Sequence, residues 1–160
     1  MGQQFGIYGE VEFPAKAIAR WREMPITDHD IDYARGTDFD TTTVAAVIDE
    51  AASFGEQYGQ FIDLEQTATS IAIRACLVDD VFGSCVKALV TAFHAAAKVG
   101  ATGEIRISEL PGQPELLVLA KGKATIKTPR NVPADDDELQ EALIVRASSI
   151  PNKPGKKKKR

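Results

Sequence analysis

Residues 70–100 decide the fold, and they read SIAIRACLVDDVFGSCVKALVTAFHAAAKVG. Residues 70–78 are rich in β-branched and apolar side chains, which is typical of a strand at or near the centre of a sheet. Asp79 or Asp80 can then cap a helix that ends near Gly100. Apolar side chains recur along it at helical spacing, at Phe82, Cys85, Val86, Leu89, Phe93 and Ala96. The stretch predicts a buried strand followed by the main core helix.

Four further elements are predicted on the N-terminal side of this stretch. Residues 5–13 alternate apolar and polar side chains and predict a half-buried strand. Residues 15–23 predict a short helix that ends before Pro25. A second helix is expected to begin at Asp40 as its N-cap, because apolar residues follow at helical spacing, at Val44, Val47, Ile48 and Ala51. Residues 61–64 predict another strand.

The C-terminal side predicts three strands and one helix. The strands cover residues 104–110, 115–120 and 123–127, and the last two form a hairpin across Lys121 and Gly122. After them, the acidic run 135–138 supplies negative charge at the start of a helix that carries Leu139, Leu143 and Ile144.

These elements give the order β-α-α-β-β-α-β-β-β-α, which does not alternate regularly as a doubly wound parallel sheet would. We therefore predict an α+β fold, with a largely antiparallel sheet and about four helices packed on it. A single domain is expected over residues 1–150. Residues 151–160 contain no large apolar side chain, so they are predicted to form a disordered basic tail.

Composition places the chain among globular proteins, because 44% of its 160 residues are hydrophobic and 26% are charged. No run approaches the roughly 20 apolar residues that cross a bilayer, and residues 1–14 lack the pattern of a secretory signal. We expect no membrane association and a cytoplasmic location. Cys76 and Cys85 are expected to be buried free thiols, since two cysteines make no disulfide framework.

Metal and cofactor motifs are weak in this sequence. Asp28, Asp30 and Asp32 resemble the opening of a calcium loop, but the sixth position is Tyr33 instead of glycine and the twelfth is Phe39 instead of glutamate. We therefore expect no metal site, and the absence of the familiar phosphate-binding glycine patterns predicts no nucleotide cofactor.

Catalytic motifs are equally weak. His94 lies nine residues after Cys85 on the same helix, so the two side chains would point to nearly opposite sides. Ser84 lacks the surroundings of a nucleophile elbow. We predict no catalytic residue, and we expect a protein without enzymatic activity.

Charge carries the strongest functional signal. Six of the 19 basic residues lie in residues 151–160, which leaves 13 basic against all 23 acidic residues in the preceding part. Between Glu23 and Glu65 there are 11 acids and one base, Arg35. Such a surface repels nucleic acid and attracts basic proteins.

The leading hypothesis is a non-enzymatic protein-binding module that engages a basic partner, for example an immunity-type inhibitor of a toxin with a cationic active site. Its predicted contact residues are Asp28, Asp30, Asp32, Asp38, Asp40, Asp49 and Glu50. Two alternatives stay open, a hydrolase-like enzyme with dispersed Asp and His residues and a structural subunit of a larger assembly. A weak contact with nucleic acid is expected only from the tail, through Lys156, Lys157, Lys158, Lys159 and Arg160.

Overall fold

A computed structural model describes residues 4–33, 38–53, 61–110 and 114–128. The helices are α1 (Ala17–Arg22), α2 (Val44–Ala52) and α3 (Asp79–Ala95), and a 3-10 turn over Ala96–Val99 continues α3. The strands are β1 (Gln4–Glu12), β2 (Pro25–Ile26), β3 (Thr42–Thr43), β4 (Phe61–Gln66), β5 (Ser70–Val78), β6 (Thr102–Leu110), β7 (Glu115–Ala120) and β8 (Lys123–Lys127).

Six of these strands form one sheet in the order β4-β5-β1-β6-β7-β8, and every neighbouring pair is antiparallel. The α+β class and the antiparallel sheet are therefore confirmed. The element order was wrong, because it omitted β2 and β3, two strands of two residues each. So short a strand shows no side-chain alternation that a sequence pattern could reveal.

The number of helices also differs from the prediction of about four. The described ranges contain three α-helices, and the helix expected after residues 135–138 lies outside them. The predicted domain end at residue 150 and the basic tail lie outside them as well, so both stay predictions.

Alternation along the strands separates a buried sheet face from an open one. On β1, the side chains of Phe5, Ile7 and Val11 are buried, whereas Tyr8, Glu10 and Glu12 are exposed. The helices cover the buried face, where Ile7 lies in register between Ala75 of β5 and Ile107 of β6. Alternate residues of β1 thus enter the core beneath the helices. The other side of the sheet is exposed around Tyr8 and Glu10, and we call it the open face, although Phe61, Cys76 and Ser108 on the same side are buried.

Trp21 of α1 connects the helices at the centre of this core. Its side chain is fully buried, and its Nε1 donates a hydrogen bond to the carbonyl oxygen of Ala92 over 2.7 Å. Its ring lies 5.0 Å from that of Phe13 and 5.5 Å from that of Phe93, centroid to centroid. The short α1 is therefore fixed by tertiary contacts, which offset the weak stability of a helix of six residues.

The N-cap of α2 is Thr43, and the prediction of Asp40 in this role was wrong. The Thr43 hydroxyl accepts a hydrogen bond from the Ala46 amide over 3.1 Å. Thr43 also pairs with Pro25 as part of β3, so the start of α2 is fixed by the small sheet.

Candidate functional site

The predicted contact residues fall on a loop and on the helix that follows it. Because Pro25 pairs with Thr43 and Ile26 with Thr42, the strands β2 and β3 bring residues 27–33 and 38–41 together, and we call these two described segments the acidic loop. Its first turn is fixed by two hydrogen bonds between Thr27 and Asp30. The Thr27 amide donates to Asp30 Oδ2 over 2.8 Å, and the Asp30 amide donates to the Thr27 carbonyl over 3.0 Å.

A buried lysine of α3 anchors the other arm of the acidic loop. Lys87 Nζ lies 2.9 Å from Asp38 Oδ1, with the Lys87 side chain 9% exposed and the Asp38 side chain 80% exposed. The hydrogen bond and the charge of Lys87 hold the pKa of Asp38 below its usual value, and His29 and Asp28 act in the same direction more weakly. The loop therefore brings Asp28 and Asp38 together over α3.

His94 lies on the same face of α3 as Lys87 and Thr91, and it follows Lys87 by seven residues. Its side chain is half-buried, and burial lowers its pKa, helped by the charge of Lys98 and opposed by that of Asp30. Asp30, on the first arm of the acidic loop, is therefore near enough to α3 for its charge to act on His94.

The two predicted residues of α2 have different surroundings. Asp49 Oδ1 accepts a hydrogen bond from Arg22 of α1 over 2.6 Å, and the Asp49 side chain remains 68% exposed. Glu50 is exposed and lies near Cys85 of α3. Burial raises the pKa of the Cys85 thiol to about 11, and the negative charge of Glu50 acts in the same direction. Both residues thus lie on the exposed side of α2, away from its buried residues.

The structure changes the charge balance inferred from the sequence. The acidic segment has one base in sequence, but α1 and α3 bring Arg22 and Lys87 to it, and each forms an ion pair with one predicted contact residue. Asp32 and Asp40 are exposed, and within the described ranges no cation lies at ion-pair distance from either. Within that part of the chain, these two carboxylates are therefore exposed and lack an ion-pair partner.

The open face of the sheet carries a second group of charged residues, which the sequence analysis missed. One row across the strands runs Asp63, Arg74, Tyr8, Arg106 and Leu116, and the next runs Glu65, Ala72, Glu10, Glu104 and Val118. Tyr8 is 45% exposed, and the Arg74 guanidinium lies 5.4 Å from the centre of its ring. Residues far apart in sequence are thus neighbours on one surface.

A cavity of about 790 Å³ opens at the β4 edge of the sheet, and its lining reaches from this face to Ala52 of α2. The open-face residues in its lining are Tyr8, Glu10, Asp63, Glu65, Ala72 and Arg74. Neither His29 nor His94 lines it, so it is not the histidine-containing site that the enzyme alternative requires. The signal available in the sequence was the period-two spacing of Tyr8, Glu10 and Glu12, which placed acids on a strand but could not pair that strand with β4 and β5.

The described part of the chain contains no group of three or more His, Cys, Asp or Glu side chains arranged to hold a metal ion. None of its helices is both long and apolar enough to cross a membrane. Cys76 and Cys85 are free cysteines.

Comparison with known proteins gives no relative. No family model matches the chain, and no curated protein or solved structure matches it either. Any functional proposal therefore depends on the geometry and charges described above.

Proposed function

We propose that this protein is a non-enzymatic protein-binding module that engages a basic partner through the acidic loop and the outer side of α2. The observation that carries the proposal is the anchoring of the loop. The small sheet closes its base and the Lys87 to Asp38 ion pair attaches its second arm to α3, while Asp32 and Asp40 remain exposed.

Anchoring favours binding because chain segments that are already held in place lose less conformational entropy when a partner docks. The exposed carboxylates then attract a basic partner at long range and orient its approach. Asp28, Asp30 and Glu50 lie beside this surface, and Asp49 contributes less because Arg22 already neutralises it.

The partner class that fits such a surface is a basic protein, and an immunity-type inhibitor of a toxin with a cationic active site is the specific form that we propose. The two free cysteines suit the reducing conditions of the cytoplasm, where we place the interaction. The basic tail is proposed to add only weak contacts with nucleic acid.

The proposal is tested by affinity capture from lysate of the source cells, with the wild-type protein and two variants as baits. Asp32→Lys with Asp40→Lys reverses two exposed charges of the acidic loop without breaking a described ion pair. We expect wild type to retain a basic protein that high salt releases, and the loop variant to lose it.

A matched control is Glu12→Lys with Glu104→Lys, which makes the same charge change on the open face of the sheet. This control should retain the same protein as wild type. Equal retention by all three baits, or loss by the control alone, would contradict the proposal.

A further inference from the structure

We infer that copies of this protein associate head to tail, with strand β8 of one copy pairing antiparallel with strand β4 of the next. Both are edge strands, because within the described ranges β4 pairs only with β5 and β8 pairs only with β7. An edge strand presents a row of backbone N–H and C=O groups with which a further strand can pair. The inference does not rest on the proposed function, since neither strand is part of the acidic loop or of α2.

The directions of the strands permit this pairing. The six strands alternate in direction across the sheet, so β4 at one edge and β8 at the other run in opposite directions. A copy added beside β4 in the same orientation therefore places its β8 antiparallel to β4. The helices of both copies then lie on the same side, and the sheet continues through the contact with its two faces kept apart.

The alternation of side chains also agrees across the contact. On the helix side, Leu64 of β4 and Ala124 and Ile126 of β8 are half-buried apolar residues. On the open face, Glu65 of β4 and Lys123 of β8 are exposed. An antiparallel register that places Lys123 opposite Glu65 also places Ala124 opposite Leu64. One cross-strand pair is then apolar and the next is an ion pair, and both kinds stabilise antiparallel strands.

The cavity at the β4 edge provides room for the added strand. Its lining includes Ala52 of α2, together with Ile62 and Leu64 on the helix side of β4. Glu65 lines it on the open face. The cavity thus extends around the edge of the strand, with apolar side chains on one side and a carboxylate on the other. A strand that alternates basic or polar with apolar side chains, as β8 does with the sequence KATIK, matches both sides.

Charge distinguishes head-to-tail pairing from a two-fold dimer. Two copies of β4 paired about a two-fold axis would bring Glu65 of both copies to the contact, and two copies of β8 would bring Lys123 and Lys127 of both. Like charges on neighbouring strands destabilise their pairing. The contact between unlike edges is therefore favoured. Because it uses two different surfaces, it continues beyond a dimer.

Sedimentation velocity of the purified full chain over a range of concentrations tests the inference. At low ionic strength, we expect the average sedimentation coefficient to rise with concentration beyond the value of a dimer, and added salt should lessen the rise. A monomer at every concentration would overturn the inference, because the lysines of β8 would then serve only to keep its edge unpaired. Saturation at a dimer would overturn it as well.

Two variants locate the contact. Glu65→Lys places a lysine opposite Lys123, and Lys123→Glu places a glutamate opposite Glu65. Each variant alone should need at least about tenfold more protein than wild type for the same degree of association. An equimolar mixture of the two should recover association, because Lys123 of the first variant then meets Glu65 of the second.

The matched controls make the same charge changes away from both edges. They are Asp32→Lys on the acidic loop and Arg20→Glu on α1, both at exposed residues, and each should associate as wild type does. Far-ultraviolet circular dichroism confirms that every variant is folded before the comparison. Unchanged association of the two edge variants, or no recovery in their mixture, would contradict the contact between β4 and β8.

Discussion

Lys87 Nζ of α3 lies 2.9 Å from the Asp38 carboxylate, and this ion pair joins a buried lysine to an exposed aspartate 49 residues away in sequence. The lysine is held in the helix layer, so the aspartate is the partner that moves if the contact is lost. The pair therefore fixes the position of the acidic loop on the protein.

The pH dependence of this contact follows from the lowered pKa of Asp38, which the Lys87 hydrogen bond and charge cause. Because this pKa is lowered in the folded protein, the contact contributes its full stability at pH values above the usual pKa of 3.8. The contribution is lost as the pH falls through the lower pKa of the folded state. Asp38→Asn should therefore reduce stability to urea at pH 7. The difference from wild type should shrink as the pH is lowered below 3.8. A difference that is constant with pH would show that Asp38 does not act through its charge.

The lowered pKa of His94 predicts a second pH dependence of stability, at higher pH than that of Asp38. Burial and Lys98 lower its pKa below the usual 6.5, although Asp30 opposes them. The unfolded chain then binds a proton more readily, so stability falls as the pH decreases from 6.5 through the folded value. His94→Gln should flatten the dependence of Tm on pH between about 5 and 7. An unchanged slope in His94→Gln would contradict this assignment.

Trp21 predicts a large loss of stability on truncation, because its buried ring contacts two aromatic rings and its Nε1 is hydrogen-bonded to Ala92. Trp21→Ala should lower the free energy of unfolding by about 3–5 kcal/mol, and Trp21→Phe by about 1–3 kcal/mol. Urea unfolding followed by circular dichroism measures both, since neither variant retains the chain's single tryptophan as a fluorescent reporter. An equal loss of unfolding free energy in the two variants would contradict a separate contribution from ring packing.

The turn of the β7 to β8 hairpin predicts that substitutions at two adjacent positions change stability in opposite directions. Lys121 and Gly122 have φ angles of 55° and 77°, the left-handed conformation that two-residue hairpin turns require. A Cβ at Gly122 would meet nothing within 4 Å, so Gly122→Ala should cost about 1 kcal/mol from the backbone alone. Lys121→Asn should instead stabilise slightly, because asparagine tolerates this conformation. Urea unfolding measures both changes, and destabilisation by Lys121→Asn would contradict the turn.

The sequence predicted most of the sheet because long strands reveal their pattern. The bounds 70–78, 115–120 and 123–127 agree with β5, β7 and β8, and β6 extends the predicted strand 104–110 by two residues at its start. The helices α2 and α3 also follow from apolar spacing. The prediction failed where side chains compete locally, since Asp40 and Thr43 are both good N-caps and the pairing of Thr43 with Pro25 decides between them.

The candidate site could be predicted only in part, because charge in sequence differs from charge in space. The excess of acids in residues 23–65 is visible in the sequence, but the approach of Arg22 and Lys87 depends on how α1 and α3 pack. The cavity could not be predicted at all. It requires the order β4-β5-β1, which places Glu65 and Glu10 on either side of Ala72 although they are 55 residues apart in the chain.

The most direct test of the acidic-loop account is the association rate constant between this protein and the basic protein it captures, measured by stopped-flow fluorescence at two ionic strengths. Wild type and Glu12→Lys with Glu104→Lys should associate rapidly, and both should slow as salt is raised. Asp32→Lys with Asp40→Lys should associate at least about tenfold more slowly at low salt and respond less to added salt. An unchanged rate for the loop variant, with a slowed rate for the sheet variant, would contradict the account.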